Sequence, residues 1–173
     1  MFSFRPAEKV IPIEGFPQSS VGAPCPALVS TEHSLVVLFY LQQSDPNSDG
    51  TTVRIVDVES EEEPIALVTF ERPSVHTFGP PNDEAFSGHR LVSKGLRPYG
   101  AYEVINSAWI EQLERMNAVH PRHDRTRFLA GKRHFILTFH DSTFECIAKG
   151  FQIDCRYGSI KQILHTQIES LDA

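Results

Sequence analysis

Apolar residues recur along the chain with two periods, one of two residues and one of three to four. Residues 34–41 form an unbroken apolar run, rich in β-branched and aromatic side chains, that predicts a strand buried on both faces. The segments 51–58 and 64–71 predict two further strands, and a turn-rich link follows the first of the three. Three consecutive strands with short links indicate an antiparallel meander.

A helical stripe predicts one helix over residues 101–119. Five large apolar side chains recur there at spacings of three and four, which places them on one helix face. These residues are Tyr102, Ile105, Trp109, Leu113 and Met116. Pro121 follows and ends the predicted helix.

The last forty residues predict a hairpin and a second helix. Segments 133–139 and 144–151 alternate apolar and polar residues around a short polar turn. Residues 159–171 carry apolar side chains at helical spacing, with Ser159 as the N-cap. The element order is therefore β-β-β-loop-α-β-β-α, which predicts an α+β fold: a mainly antiparallel sheet of about five strands with two helices packed on one face.

Two segments predict little regular structure. Residues 1–30 are rich in proline, which lacks a backbone donor, and predict an irregular arm. Residues 72–100 contain four glycines and four prolines and predict a long ordered loop of the kind that often carries function. No repeat or linker divides the chain, so a single domain over residues 1–173 is expected.

Composition narrows the class of protein. With 173 residues, 40% of them hydrophobic, the chain is long enough to bury a core without disulfides. No apolar run approaches the ~20 residues of a membrane helix, so no membrane contact is expected. The three cysteines are odd in number and form no C-x-x-C pair, which favours a reducing, cytoplasmic location.

Charge is distributed unevenly along the chain. The net charge is -6, but residues 1–88 hold thirteen acids and four bases, while residues 89–173 hold nine acids and twelve bases. The acidic total makes nucleic acid an unlikely partner and leaves room for one local anion site. Such a site is predicted from Arg122, Arg125, Arg127 and Lys132, with Asn82 and His89 as the opposite wall. The alternative is a solvated loop that pairs with the acidic turn 59–63.

Histidine and aspartate side chains supply an enzymatic alternative. His140 or His123 is the candidate general base, with Asp141 or Asp83 orienting its ring. The competing interpretation of residues 140–143 is ordinary turn chemistry.

The enzyme of this alternative could also use a divalent metal ion. The candidate ligands are His89, His120 and His123, because imidazoles converging from loops can hold such an ion. The neighbouring arginines would oppose a cation. No other cofactor is predicted.

Two functional hypotheses follow. The first is a small domain that binds a protein partner or an anionic ligand through loops 72–100 and 120–134. The second is a hydrolase, metal-dependent or not, that uses loop histidines. The common signatures of enzyme families are absent, so enzyme activity and oligomeric state are both left open.

Overall fold

The structure is a computed structural model and describes residues 6–43 and 55–171. Its contacts divide the chain into two compact units. The first comprises Met1–Phe16 and Arg72–Gly150, and the second comprises Pro17–Glu71 and Phe151–Ala173. Within the described ranges, no helix is both long and apolar enough to cross a lipid bilayer. The expectation of a single domain stays a prediction.

The described residues form nine strands and three α-helices. The strands are β1 (Lys9–Pro12), β2 (Ala27–Ser30), β3 (Leu35–Tyr40), β4 (Glu63–Glu71), β5 (Val75–Gly79), β6 (Gly100–Ile105), β7 (Arg133–Thr138), β8 (Thr143–Ala148) and β9 (Gly150–Gly158). The helices are α1 (Ala108–Asn117), α2 (Arg125–Leu129) and α3 (Ile160–Glu169). Two single 3-10 turns lie at Phe86–Gly88 and Val92–Lys94.

The first unit contains a five-stranded sheet in the order β1-β6-β7-β8-β5, and every neighbouring pair is antiparallel. The register places Ile136 beside Tyr102 on one side and beside Glu145 on the other. The apolar part of this face is covered by the segment between β5 and β6. The buried residues of this cluster are Val10, Phe86, Leu91, Leu96, Tyr102, Val104 and Ile136.

The second unit contains a four-stranded sheet in the order β2-β3-β4-β9. All six residues of β3 are buried, as the continuous apolar run predicted. Helix α3 packs Ile160 and Ile163 against side chains of β3 and β4. The Ser159 hydroxyl accepts a hydrogen bond from the Gln162 backbone N–H at 3.2 Å, so the predicted N-cap is confirmed.

The predicted fold class is confirmed: the structure is α+β with antiparallel strands. It differs in detail, because the strands form two sheets of five and four strands and a third helix is present. The hairpin of β7 and β8 and the C-terminal helix lie where the sequence predicted them. Helices α1 and α3 pack on different sheets, whereas both were expected on one face.

The single helix predicted over residues 101–119 is wrong. Its first part is strand β6, in which Tyr102 and Val104 are buried with the period of a strand. Asn106 then adopts a left-handed conformation with φ of 57°, which no helix continues through, and Ser107 caps α1. The spacing from Tyr102 to Ile105 matched a helix by coincidence, and Ile105 is exposed.

Three other predicted segments also differ from the structure. Of the strand predicted at 51–58, residues 51–54 lie outside the described part, and residues 55–58 form no strand. The segment 1–30, predicted to be irregular, contributes β1 and β2, because short edge strands tolerate nearby prolines. The loop predicted at 72–100 contains β5.

Candidate functional site

The segment between α1 and β7 carries the predicted anion-binding residues and is built around a short helix. Asp124 begins α2, since its Oδ1 accepts the Arg127 backbone N–H at 3.0 Å. The helix ends at Leu129 with Ala130 as its C-cap, and Gly131 follows with φ of 73°, a conformation that favours glycine. Residues two apart on a helix point in different directions, so Arg125 and Arg127 are separated.

Arg125 faces α1. Its guanidinium binds both carboxylate oxygens of Glu111, at 2.8 and 3.0 Å, and Oε2 of Glu114 at 2.5 Å. His123 binds the other oxygen of Glu114 at 2.8 Å, and Asn117 lies 3.0 Å from the second ring nitrogen of His123. Arg125 and His123 therefore anchor the loop to the buried Glu114.

A solvent-open cleft of about 480 Å³ lies on the other side of α2. Five cationic side chains line it: Arg72, Arg122, Arg127, Lys132 and Lys149. His120 and His123 line it as well, and Asp124, the helix cap, is the one acid in its wall. Among the described residues, no carboxylate forms an ion pair with any of the five cations; the ion pairs of this unit involve other bases. We call this site the basic cleft.

Lys132 is the most restrained cation of the basic cleft. Its Nζ donates to Ser74 Oγ at 2.8 Å and lies 4.6 Å from the centre of the Phe128 ring. Burial lowers the pKa of this amine below its ordinary value. Its ammonium group is thus held by a hydroxyl and a ring face, neither of which neutralises its charge.

The structure divides the predicted ligand-binding residues into two groups. Arg122, Arg127 and Lys132 line the basic cleft, whereas Asn82 and His89 do not. Asn82 Oδ1 accepts the Ala85 backbone N–H at 3.0 Å and stabilises a turn. His89 points to a buried glutamate, described below. The predicted opposite wall is instead supplied by Arg72 and Lys149, which lie far apart in the sequence.

The predicted catalytic residues are brought together at the turn between β7 and β8. His140 Nδ1 lies 2.9 Å from Asp141 Oδ1, and its Nε2 lies 3.9 Å from Asp83 Oδ2. The Tyr99 hydroxyl donates to that same Asp83 oxygen. The other oxygen of Asp83 is buried and has no hydrogen-bond partner among the described residues.

These contacts change three pKa values. The hydrogen bond to Asp83 raises the pKa of Tyr99 to about 12, and the same bond lowers the pKa of Asp83. The hydrogen bond to Asp141, aided by the charge of Asp83, raises the pKa of His140. The cluster therefore holds an ionised carboxylate beside an imidazole that takes up a proton readily.

The predicted metal ligands are held by separate partners. His89 and His123 each form a hydrogen bond with a glutamate through Nε2. His120 Nδ1 accepts the Arg122 backbone N–H at 3.2 Å. In residues 6–43 and 55–171, no three histidine, cysteine, aspartate or glutamate side chains form a group that could hold a metal ion. The metal hypothesis stays an expectation without geometric support.

The sequence reasoning missed a network centred on Glu145. Its Oε1 binds His89 Nε2 at 2.9 Å, and its Oε2 binds Arg90 Nη2 and His134 Nε2, both at 2.8 Å. Burial raises the pKa of Glu145, but the hydrogen bonds from the two histidines and the charge of Arg90 outweigh burial and leave that pKa lowered. Alternation along β8 could have indicated this network, because it places Glu145 on the same sheet face as the buried Thr143 and Ile147.

Comparison of the chain with protein-family models, curated proteins and solved structures found no match.

Proposed function

We propose that the protein binds a small polyanionic ligand, such as an oligophosphate, in the basic cleft. Five cations line the basic cleft, and among the described residues no carboxylate forms an ion pair with them. This observation carries the proposal. Elsewhere in this unit, Arg90, Arg125 and Arg133 are all paired with glutamates. Cations held together without counterions repel one another, and an anion removes that repulsion.

Oligophosphate suits the chemistry of the basic cleft better than a single carboxylate does. Guanidinium groups bind phosphate oxygens in pairs, and Arg122 and Arg127 come from different parts of the loop, so two phosphates can be held at once. The lining includes the single aromatic residue Phe128, whose ring already faces Lys132. This arrangement offers little base stacking, which supports a compact anion over a nucleic-acid strand.

Thermal unfolding with and without tripolyphosphate tests the proposal. A ligand at 100 times its Kd adds about 2.7 kcal/mol of stability, which for a chain of this size raises Tm by roughly 5–10 °C. The double variant Arg122→Ala/Arg127→Ala should lose this rise while keeping its fold. The matched control Lys94→Ala/Arg156→Ala removes the same charge from exposed positions outside the cleft and should keep the rise.

An equal response of both double variants would contradict the proposal, because it would show general screening of surface charge. Hexaglutamate serves as the contrasting probe. If hexaglutamate raises Tm through the cleft arginines and tripolyphosphate does not, the cleft recognises an acidic protein segment instead.

The reducing, cytoplasmic location expected from the sequence is part of this proposal. Cys146 and Cys155 are free thiols, and Cys146 is fully buried. Cysteines kept as thiols support a reducing compartment. Such a compartment is also where phosphorylated metabolites are abundant.

A second candidate function is hydrolysis with His140 as general base. The specific observation in its favour is the pair of carboxylates, Asp83 and Asp141, that flank the imidazole, together with the unpaired buried oxygen of Asp83. Hydrolysis of bis(p-nitrophenyl) phosphate, with and without added Mn²⁺, tests it. His140→Gln should abolish turnover, and equal rates in wild type and variant would contradict this role.

A further inference from the structure

A serine lies at the junction between strand β6 and helix α1. The strand ends at Ile105, Asn106 turns the chain in the left-handed conformation, and Ser107 begins the helix. Ser107 Oγ accepts the Ile110 backbone N–H at 3.2 Å and lies 2.8 Å from His134 Nδ1. The junction thus presents a serine hydroxyl at the amino end of a ten-residue helix, in contact with an imidazole.

The imidazole continues the chain of hydrogen bonds to a carboxylate. His134 is fully buried on β7, and its Nε2 lies 2.8 Å from Oε2 of Glu145 on β8. Because an ionised carboxylate accepts only, Nε2 carries the hydrogen, and in the neutral ring Nδ1 accepts the Ser107 hydroxyl hydrogen. Trp109 packs edge-on against the ring at 5.2 Å and limits its rotation.

The protonation of the network is further defined by His89. The Leu91 backbone N–H donates to His89 Nδ1 at 3.2 Å, so His89 donates to Glu145 from Nε2. Arg90 supplies the permanent positive charge beside the carboxylate. Donors from His89, Arg90 and His134 together stabilise the anionic form of Glu145.

A pocket of about 290 Å³ opens at Ser107. Part of its wall is apolar, from Val104, Ile105, Ile110 and Leu129. At its rim, Arg133 is held by both carboxylate oxygens of Glu103, at 2.8 and 2.6 Å. Glu111 and Lys132 also line the pocket, so its apolar part has room only for a short acyl chain.

We propose that Ser107, His134 and Glu145 form an acyl-transfer site that hydrolyses esters of short carboxylic acids. Ser107 Oγ forms a bond to the ester carbonyl carbon while its proton passes to His134 Nδ1. The bond from that carbon to the alcohol oxygen breaks, and the alcohol takes the proton from His134. Water then attacks the acyl-serine, loses its proton through His134, and releases the carboxylic acid and Ser107.

Each group has a defined part in this reaction. Ser107 and His134 touch the reacting atoms, whereas Glu145 is a positioning residue that fixes the ring and balances the imidazolium charge. Negative charge on the carbonyl oxygen develops at the amino end of α1, where helix dipoles stabilise it. The Ala108 N–H at this end is bonded to Oε1 of Glu8 at 2.6 Å and the Ile110 N–H to Ser107 Oγ, so an oxyanion here must displace Glu8 to gain a backbone donor. Ser107 uses Nδ1 and Glu145 uses Nε2, the reverse of the usual serine-protease arrangement.

Labelling with a fluorophosphonate tests the nucleophile directly. The wild-type protein should gain one phosphonyl group, and peptide mapping should place it on Ser107. Ser107→Gly should gain none, and this variant keeps a residue that helix N-caps tolerate. Lys94→Ala/Arg156→Ala, remote from the pocket, should label as wild type does. A folded wild-type protein that gains no adduct, or an adduct that persists in Ser107→Gly, would overturn the proposal.

Turnover of p-nitrophenyl acetate tests the positioning role of Glu145. Glu145→Gln, measured at a temperature where circular dichroism shows it folded, should lower kcat by about 10²- to 10⁴-fold and leave KM unchanged. A purely structural role would leave kcat of the folded variant at the wild-type value. That result would remove Glu145 from the mechanism.

Discussion

Replacing Glu145 with glutamine should destabilise the protein strongly, because the amide replaces one acceptor oxygen with a donor. Whichever way the amide is oriented, its NH₂ group faces at least one of the N–H groups of His89, Arg90 and His134. Hydrogen bonds to charged groups contribute about 1.5–3 kcal/mol each, and the remaining bonds weaken when the charge is lost. We therefore expect the free energy of unfolding to fall by about 2–4 kcal/mol, or Tm by roughly 5–15 °C.

The assay is urea and thermal unfolding of wild type, Glu145→Gln and the control Asp154→Asn. The control makes the same chemical change in an exposed ion pair with Arg156, where the loss should stay below about 1 kcal/mol. A Glu145→Gln Tm within about 2 °C of wild type would refute the reasoning. It would mean that the three donors are satisfied equally well without the carboxylate.

The same variant has a predicted pH signature. The folded pKa of Glu145 lies below its ordinary value near 4.5, so its stabilisation is fully present above that pH and is lost as pH falls through the folded value. The stability difference between wild type and Glu145→Gln should therefore shrink once the pH drops below about 4.5. A difference that stays constant down to pH 3 would contradict the assigned direction.

Three further predictions concern other parts of the chain. Arg125→Ala should lower Tm yet preserve the rise caused by tripolyphosphate, and loss of the rise at unchanged Tm would show that Arg125 belongs to the ligand site. Absorbance titration at 295 nm should show one tyrosine ionising near pH 12, and Tyr99→Phe should remove that transition; loss of a transition near pH 10 instead would contradict the bond to Asp83. An aromatic disulfide reagent should modify the exposed Cys155 in the native protein and the buried Cys146 only after unfolding, as mass mapping would show.

Sequence periodicity identified strands that are buried on both faces. It failed where a strand and the following helix together matched a single helical pattern. Strand β3 is apolar on both faces, and no other element explains such a run. Residues 101–119 were harder, because Tyr102 fits both a helix stripe and strand alternation. Asn106, in the left-handed conformation, and Ser107, the N-cap, mark the boundary between β6 and α1. The sequence does not show this boundary, because asparagine and serine also occur inside helices. Pairing of β6 with β1 and β7 settles the choice, and this pairing is tertiary information.

The candidate sites were predictable only to the extent that their residues are close in sequence. His140 and Asp141 are in contact, since one turn holds both, and their role in catalysis stays a prediction. Glu145 was missed although it lies four residues away, because its partners His89 and Arg90 come from a distant segment. A carboxylate on a buried strand face requires hydrogen-bond donors. This requirement could have indicated that a network exists, but not which residues form it.

The distribution of ion-pair partners is compatible with the proposed anion site in a chain of net charge -6. In residues 89–173 three arginines of the first unit are paired with glutamates: Arg90 with Glu145, Arg125 with Glu111 and Glu114, and Arg133 with Glu103. Each of these acids therefore has a cationic partner outside the set that lines the basic cleft. The potential of the cleft cations acts within a Debye length of about 8–10 Å. A ligand entering the cleft responds to that local potential, because more distant acids are screened.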